Sequence, residues 1–585
     1  MKMLLATTAI LSMAALGTVA NAQTATKVAP TAVAVPNNVL LADWTGPYAG
    51  VPPFDKVTPA LFPQALQFAI DERRGEILAI ANNPQAPTFA NTIEAYEKAG
   101  QRLDRVEAVF GVMTSNMATP EYQKLDKEWS SKLSAASDEI TLNPKLFQRI
   151  KTLYDNKASL GLDAKQDRLL TRTYQGFVRR GANLNAEQKQ QLSAMNSQLA
   201  ELFATFSERV LADESTYLTV TEAELKGVPA DVKAALAAAA KAQNKPAGAF
   251  AIKNTRSAID PVLTFADDRA LREKVWRAFV NRGDNGGASD TNAIIAKIVK
   301  LRADRAKLLG FPSHAHWRMD DTMAKDPQKA LDLTLRVWKP AVARVKEEVA
   351  DMQALANKEK AGITIEPWDY RYYMEKVRKA KYDLDQNEIK PYLQLDKLRD
   401  GMFYVAGELF NFKFTPVTNV PVYHADVRVW EVTDKTSGKH IGLWYFDPYA
   451  REGKRSGAWM NAYRNQERFE RDVTTIVSNN SNFAKGAPGE PVLISWDDAV
   501  TLFHEFGHAR HGLSSGVCYP SLSATSVPRD YVEFPSQLLE HWLPTPAVLQ
   551  RFALHHRTGE PIPQSLVDRI DRASRFNQGF ATTEY

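Results

Sequence analysis

The pentapeptide His504-Glu505-Phe506-Gly507-His508 constrains the fold of this 585-residue chain more than any other stretch. Two histidines four apart share a face only on an α-helix, where they lie roughly 40° apart around the axis and about 6 Å along it. From that face they can hold one metal ion. Glu505, one step round, can reach a water beside the ion as general base. Imidazole ligands in this pattern point to a single zinc ion. The flanks support a helix. Ser495 reads as its N-cap, with Asp497 and Asp498 in the first turn. Val500, Phe503, Phe506 and Gly507 make an apolar stripe beside the histidines, and Gly512 is a plausible stop.

A catalytic zinc ion usually takes three protein ligands and leaves a fourth position to water. The continuation H-x-x-G-x-x-H of one zinc-peptidase class would require Gly at 511 and His at 514. The chain has His511 and Ser514 instead. Glu533, 25 residues past His508, allows a loop and a return into a second helix. Glu540 is the rival by spacing. Asp530 is a candidate for orienting a ligating histidine through its other ring nitrogen, and equally a helix N-cap.

The run His504 to Gly512, followed by Asp530-Tyr531-Val532-Glu533-Phe534-Pro535-Ser536-Gln537, resembles the thimet oligopeptidase family of zinc peptidases, most closely its bacterial peptidyl-dipeptidase branch. Gly442-Leu443-Trp444-Tyr445-Phe446-Asp447-Pro448-Tyr449-Ala450-Arg451-Glu452-Gly453-Lys454 and Leu301-Arg302-Ala303-Asp304-Arg305-Ala306-Lys307-Leu308-Leu309-Gly310-Phe311 also match that pattern. The resemblance implies that His504, His508 and Glu533 hold one zinc ion and that Glu505 is the base. It implies a mainly α, two-lobed zincin-type peptidase with a deep channel, acting on short peptides. Release of C-terminal dipeptides is favoured over internal cleavage. An inactive, zinc-holding peptide-binding protein is the alternative. The family's Gly- and Tyr-rich oxyanion-stabilising segment has no counterpart up to Tyr585, so a C-terminally truncated member is expected.

Composition narrows the remaining classes. There are 73 basic and 68 acidic residues, a balance too even for a nucleic-acid surface. Residues 1–22 read as a secretory leader: Lys2, an apolar core over 4–16 too short to span a bilayer, and Ala20-Asn21-Ala22 as cleavage site. A periplasmic protein follows, off the membrane once the leader is cut, and expected to be a monomer. Cys518 is the only cysteine, so no intrachain disulfide can form. It reads as an inert thiol.

The expected domains are a flexible leader over 23–45, an N-terminal helical region over 46–255 and a catalytic domain over 256–585. Helices dominate from 58 to 213, one of them capped by Asn91 or Thr92. Residues 216–221 and 249–253 alternate as strands around an Ala-rich helix. Gly283, Gly286 and Gly287 fit no phosphate-loop pattern. His314 and His316 lack further ligands nearby in sequence, and His541, His555 and His556 are taken as non-ligands. Residues 330–360 form a long helix that Pro340 should kink or split. Residues 426–432 and 441–446 pair as strands, joined by a turn over 434–439. Gly457, Ala458, Trp459 and Met460 are the candidate sheet edge against which a peptide could lie.

Overall fold

Helix starts are set by side chains that take up backbone N–H groups the first turn leaves unpaired. Asp163 with Gln166, Asn185 with Gln188 and Ser495 with Asp498 form reciprocal capping boxes. Another box corrects the sequence reading near Asn91. Thr88 is the cap, and Asn91 answers it from the third position by accepting the Thr88 N–H.

The computed structural model describes residues 34–486, 489–573 and 575–584, so the expected secretory leader over 1–22 lies outside the described residues. Helices predominate. Phe62–Ala81, Gln101–Asn116, Pro120–Thr141, Pro144–Asp155, Ala164–Arg179 and Ala186–Glu214 make up the N-terminal array. The strands Tyr217–Val220 (β1) and Phe250–Lys253 (β2) pair antiparallel and enclose the helix Ala230–Ala242, as the alternation predicts.

A five-stranded sheet lies at the centre. Its members are Phe412–Val417 (β3), Arg428–Asp434 (β4), His440–Tyr449 (β5), Trp459–Arg464 (β6) and Thr475–Phe483 (β7), in the order β3-β4-β5-β7-β6. Only the β5–β7 pair is parallel. The predicted turn is held by Asp434, which accepts the N–H groups of Thr436 and Ser437. Of the candidate edge, Trp459 and Met460 belong to the outermost strand β6, whereas Gly457 and Ala458 precede it.

Strand β5 is buried on both faces, and its side chains alternate between two cores. Trp444 and Phe446 join Phe503 and Phe506 in one. Leu443 and Tyr445 join Phe62, Val106 and Trp129 from the N-terminal helices in the other. The expected boundary at 255/256 therefore coincides with no gap in the packing, and residues 38–585 form one compact unit.

Of the expected leader over 23–45 only 34–45 lies among the described residues, and there a similar correction applies. Leu40 and Leu41 are 2% and 1% exposed in the second core, and Asn38 donates to the Leu61 carbonyl at 2.9 Å. Burial of this apolar pair anchors the chain at 38–41.

Pro340 does not split its helix, which runs unbroken as Pro327–Lys358. Residues 331–340 are exposed all round, so water can take the carbonyl that proline leaves without a donor. The last helix, Gln578–Glu584, crosses this one closely. A Cβ at Gly579 would stand 2.6 Å from the Val345 nitrogen, and buried Glu348 accepts the N–H groups of Gly579 and Phe580.

Candidate metal centre

Trp496–Leu513, the metal helix, carries the histidines and is fastened to the sheet by one asparagine. Asn479 on β7 accepts the Trp444 Nε1–H at 2.7 Å and donates to the Glu505 carbonyl at 2.6 Å. Phe506 packs edge-on against Trp444. On the opposite side the metal helix meets the helix Phe534–Glu540 at a contact only glycine permits. A Cβ at Gly507 would lie 2.5 Å from Ser536 Cα and 2.8 Å from the Pro535 carbonyl oxygen. Closest approach at Gly507 is what brings Glu533 over the two histidines.

The Nε2 atoms of His504 and His508 lie 3.2 and 3.1 Å from the same oxygen, Glu533 Oε2. Among the described residues these three form the only cluster of potential metal ligands, with donor atoms all within 4.8 Å of one another. The histidine–carboxylate separations match the edge of a tetrahedron with legs of about 2.0–2.1 Å, which is close to 3.3 Å. Ser536 steadies Glu533 by donating to its carboxylate at 3.0 Å.

Glu505 points into the same space from a buried position, 6% exposed, and its Oε2 has no partner among the described residues. An orphaned buried carboxylate oxygen beside two imidazoles and a carboxylate is what a metal-associated water would satisfy. Burial, opposed by His504 and aided by the Glu533 charge, lifts the Glu505 carboxyl to about 7. The donor set therefore fits a divalent ion of borderline softness.

Sequence reasoning assigned the neighbouring acids in the wrong order. Glu540 is not a rival ligand. Its Oε1 sits 2.7 Å from His504 Nδ1, which fixes the ring with Nδ1 protonated and leaves the Nε2 lone pair facing Glu533. Burial lowers the pKa of His504, but the Glu540 hydrogen bond and the surrounding carboxylates outweigh it and leave the pKa raised. Asp530 is not the orienting acid. Its carboxylate accepts the N–H groups of Met323 and Ala324, both at 2.9 Å, and so ties the ligand loop to residues 323–324. A signal for Glu540 was present: it lies seven residues past Glu533, two helical turns along the same face.

The other flagged residues do ordinary work. His316 is bonded to Ser313 and His314 packs on Trp317. The Gly283 N–H caps the Asp213 carboxylate. Burial pushes the Cys518 thiol up, away from the reactive thiolate.

Comparison with known proteins agrees with this geometry. The family model described as Peptidase family M3 matches residues 262–585. The dipeptidyl carboxypeptidase of Escherichia coli (strain K12) is 40% identical over 550 residues, covering 94% of this chain and 80% of that protein. The oligopeptidase A of Salmonella typhimurium is 30% identical over 537 residues, 90% of this chain and 78% of that protein.

Proposed function

The chain belongs to peptidase family M3, and from that premise we propose that it is a zinc metallopeptidase releasing dipeptides from the C-termini of short peptides. The observation that carries this reading is the shared approach of His504, His508 and Glu533 beside the unpartnered, buried Glu505. Similarity to a dipeptidyl carboxypeptidase exceeds that to oligopeptidase A, which favours dipeptide release over internal cleavage.

His504, His508 and Glu533 are the residues that would hold zinc. Bound there, zinc would supply Lewis acidity toward the scissile carbonyl and make a nearby water more acidic. Glu505 takes the proton from the attacking water and hands it to the leaving amine nitrogen. Burial favours the protonated form of Glu505 and so the return of the proton to the amine, while the charge of a bound zinc would favour the carboxylate that accepts it. Glu540 holds the His504 tautomer throughout.

The apolar leader-like residues 1–22 support a periplasmic location, and no described helix is long and apolar enough to cross a membrane. Glu505→Gln tests the mechanism. Zinc by metal analysis should stay near one per chain while cleavage, followed by mass spectrometry of the products, falls about 100- to 10,000-fold. Unchanged turnover would refute the assigned role. Zinc at full occupancy with no cleavage by the unsubstituted chain would favour a peptide-binding protein.

A further inference from the structure

A cleft of about 880 Å3 lies between the helices Ala164–Arg179 and Ala186–Glu214 and the segment 521–528. Arg168, Arg172, Arg179, Arg180, Arg305 and Arg318 line it, against three carboxylates. Those carboxylates are already engaged. Asp321 lies 2.5 Å from Arg179 and 3.4 Å from Arg172. Asp138 accepts from Asn196 on both oxygens and lies within the fields of Arg305 and Arg180, and Glu97 accepts the Ser521 N–H at 2.8 Å. Arg168, Arg180 and Arg318 enter no ion pair among the described residues, so the cleft keeps a surplus of positive charge.

Two of the arginines, Arg179 and Arg305, are held in place by their neighbours. Trp317 and Arg179 exchange two hydrogen bonds of 2.9 Å between side chain and backbone. Arg305 lies 4.5 Å over the Trp317 ring and donates to Asn196. Burial, with Arg302, Arg305 and Arg318 adding to it, pushes the nearby His314 down to about 4, as a cationic surround should. The cleft is joined to the metal centre through one short stretch of chain. Val527 and Pro528 line it, Tyr531 closes a turn on the Pro528 carbonyl, and Glu533 follows two residues later.

We propose that this cleft is an anion subsite that receives carboxylates of the bound peptide, making acidic peptides the favoured substrates. The proposal rests on the peptidase reading of the adjoining site. Guanidinium forks match a carboxylate two-pronged, and a concave wall shields such pairs from salt better than open surface does. The carboxylate can come from acidic side chains or from the free C-terminus, and the chemistry recognised is the same.

Three labelled peptides of equal length separate these sources: one neutral and amidated, one amidated but carrying glutamates, one neutral with a free C-terminus. Binding to the full chain is read by fluorescence anisotropy and cleavage by mass spectrometry. A carboxylate-bearing peptide should bind about tenfold tighter than the neutral one, since several modest ion pairs compound to that factor. The advantage should vanish in R168A/R180A/R318A, whose side chains hold no ion pair among the described residues, and shrink in high salt. Arg180→Glu alone should weaken the same peptide, with the neutral one unmoved. Equal binding of all three peptides, or a preference that survives both variants, overturns the proposal. Cleavage without charge discrimination would sink the subsite and leave the peptidase reading standing. Discrimination without cleavage would do the reverse.

Discussion

At the scale of single residues, Glu505 carries a free-energy load that can be measured without substrate. Its folded pKa of about 7 lies above the ordinary 4.5, so the folded state keeps a proton that the unfolded chain gives up. The stability this contributes is full below pH 4.5 and is lost as pH rises through 7, about 3 kcal/mol in all. Glutamine cannot ionise. In protein stripped of metal, Glu505→Gln should therefore match the parent at pH 4 and exceed it at pH 8, as urea unfolding at the two values will show. Equal stabilities at both would mean that Glu505 is not buried as described. Glu540 acts through His504, so Glu540→Gln should weaken metal affinity about 10- to 100-fold in a chelator competition while the fold stays intact. The metal set was legible because four-residue spacing has one helical meaning. The split between Asp530 and Glu540 was not, because it depends on how the helix Phe534–Glu540 turns toward His504, and that is settled by packing at Gly507.

Elements show the same division between local and tertiary causes. Capping boxes and apolar periodicity foretold most helices, since those signals reside within one segment. Strand β7 escaped notice because the buried residues Ser478, Asn479, Asn480 and Ser481 break any apolar run. The two asparagines bond across the sheet and to the metal helix, Asn479 to Trp444 and Glu505 and Asn480 to the Trp459 carbonyl. Gly507 tests how tightly two elements must approach. Helix propensity alone would favour alanine there by about 1 kcal/mol. The added Cβ would overlap main-chain atoms of Pro535 and Ser536, which cannot rotate aside, and such overpacking costs about 1–3 kcal/mol or more. Gly507→Ala should lower both the unfolding midpoint and the metal affinity, because the helix bearing Glu533 must move out. A stabilised variant with unchanged metal binding would show that the crossing is looser than this.

Over the whole molecule, the N-terminal helices and the sheet are joined by a buried ionic knot. Asp447 on β5 accepts two bonds of 2.7 Å from Arg451 and one of 2.9 Å from Asn116, at the end of the helix Gln101–Asn116. Lys454, fully buried, lies 3.0 Å from the same carboxylate and donates to the carbonyls of Asp447, Tyr449 and Ser481. This knot is why the expected division at 255/256 is absent from the packing, and no sequence pattern links Asn116 to Asp447 across 331 positions. Burial works against the Asp447 charge, but Arg451, Lys454 and Asn116 outweigh it and hold the carboxyl well below its usual range. Burial pushes Lys454 down to about 8, with Asp447 opposing. Asp447→Asn would leave a buried ammonium without its counter-charge, a loss of about 3–5 kcal/mol at neutral pH. The sign at each end follows from the two groups. Asp447's contribution is present above the unfolded pKa of about 4 and fades as pH falls toward its lower folded value. Lys454 sheds its proton above about 8, which removes one of the two charges that Asp447 balances and leaves Arg451. The gap between parent and Asp447→Asn should therefore be widest between about pH 4 and 8, closing as pH falls and narrowing only in part as it rises, when unfolding is followed across the range. A gap that stays constant with pH would mean that shape rather than charge holds the N-terminal helices to the sheet.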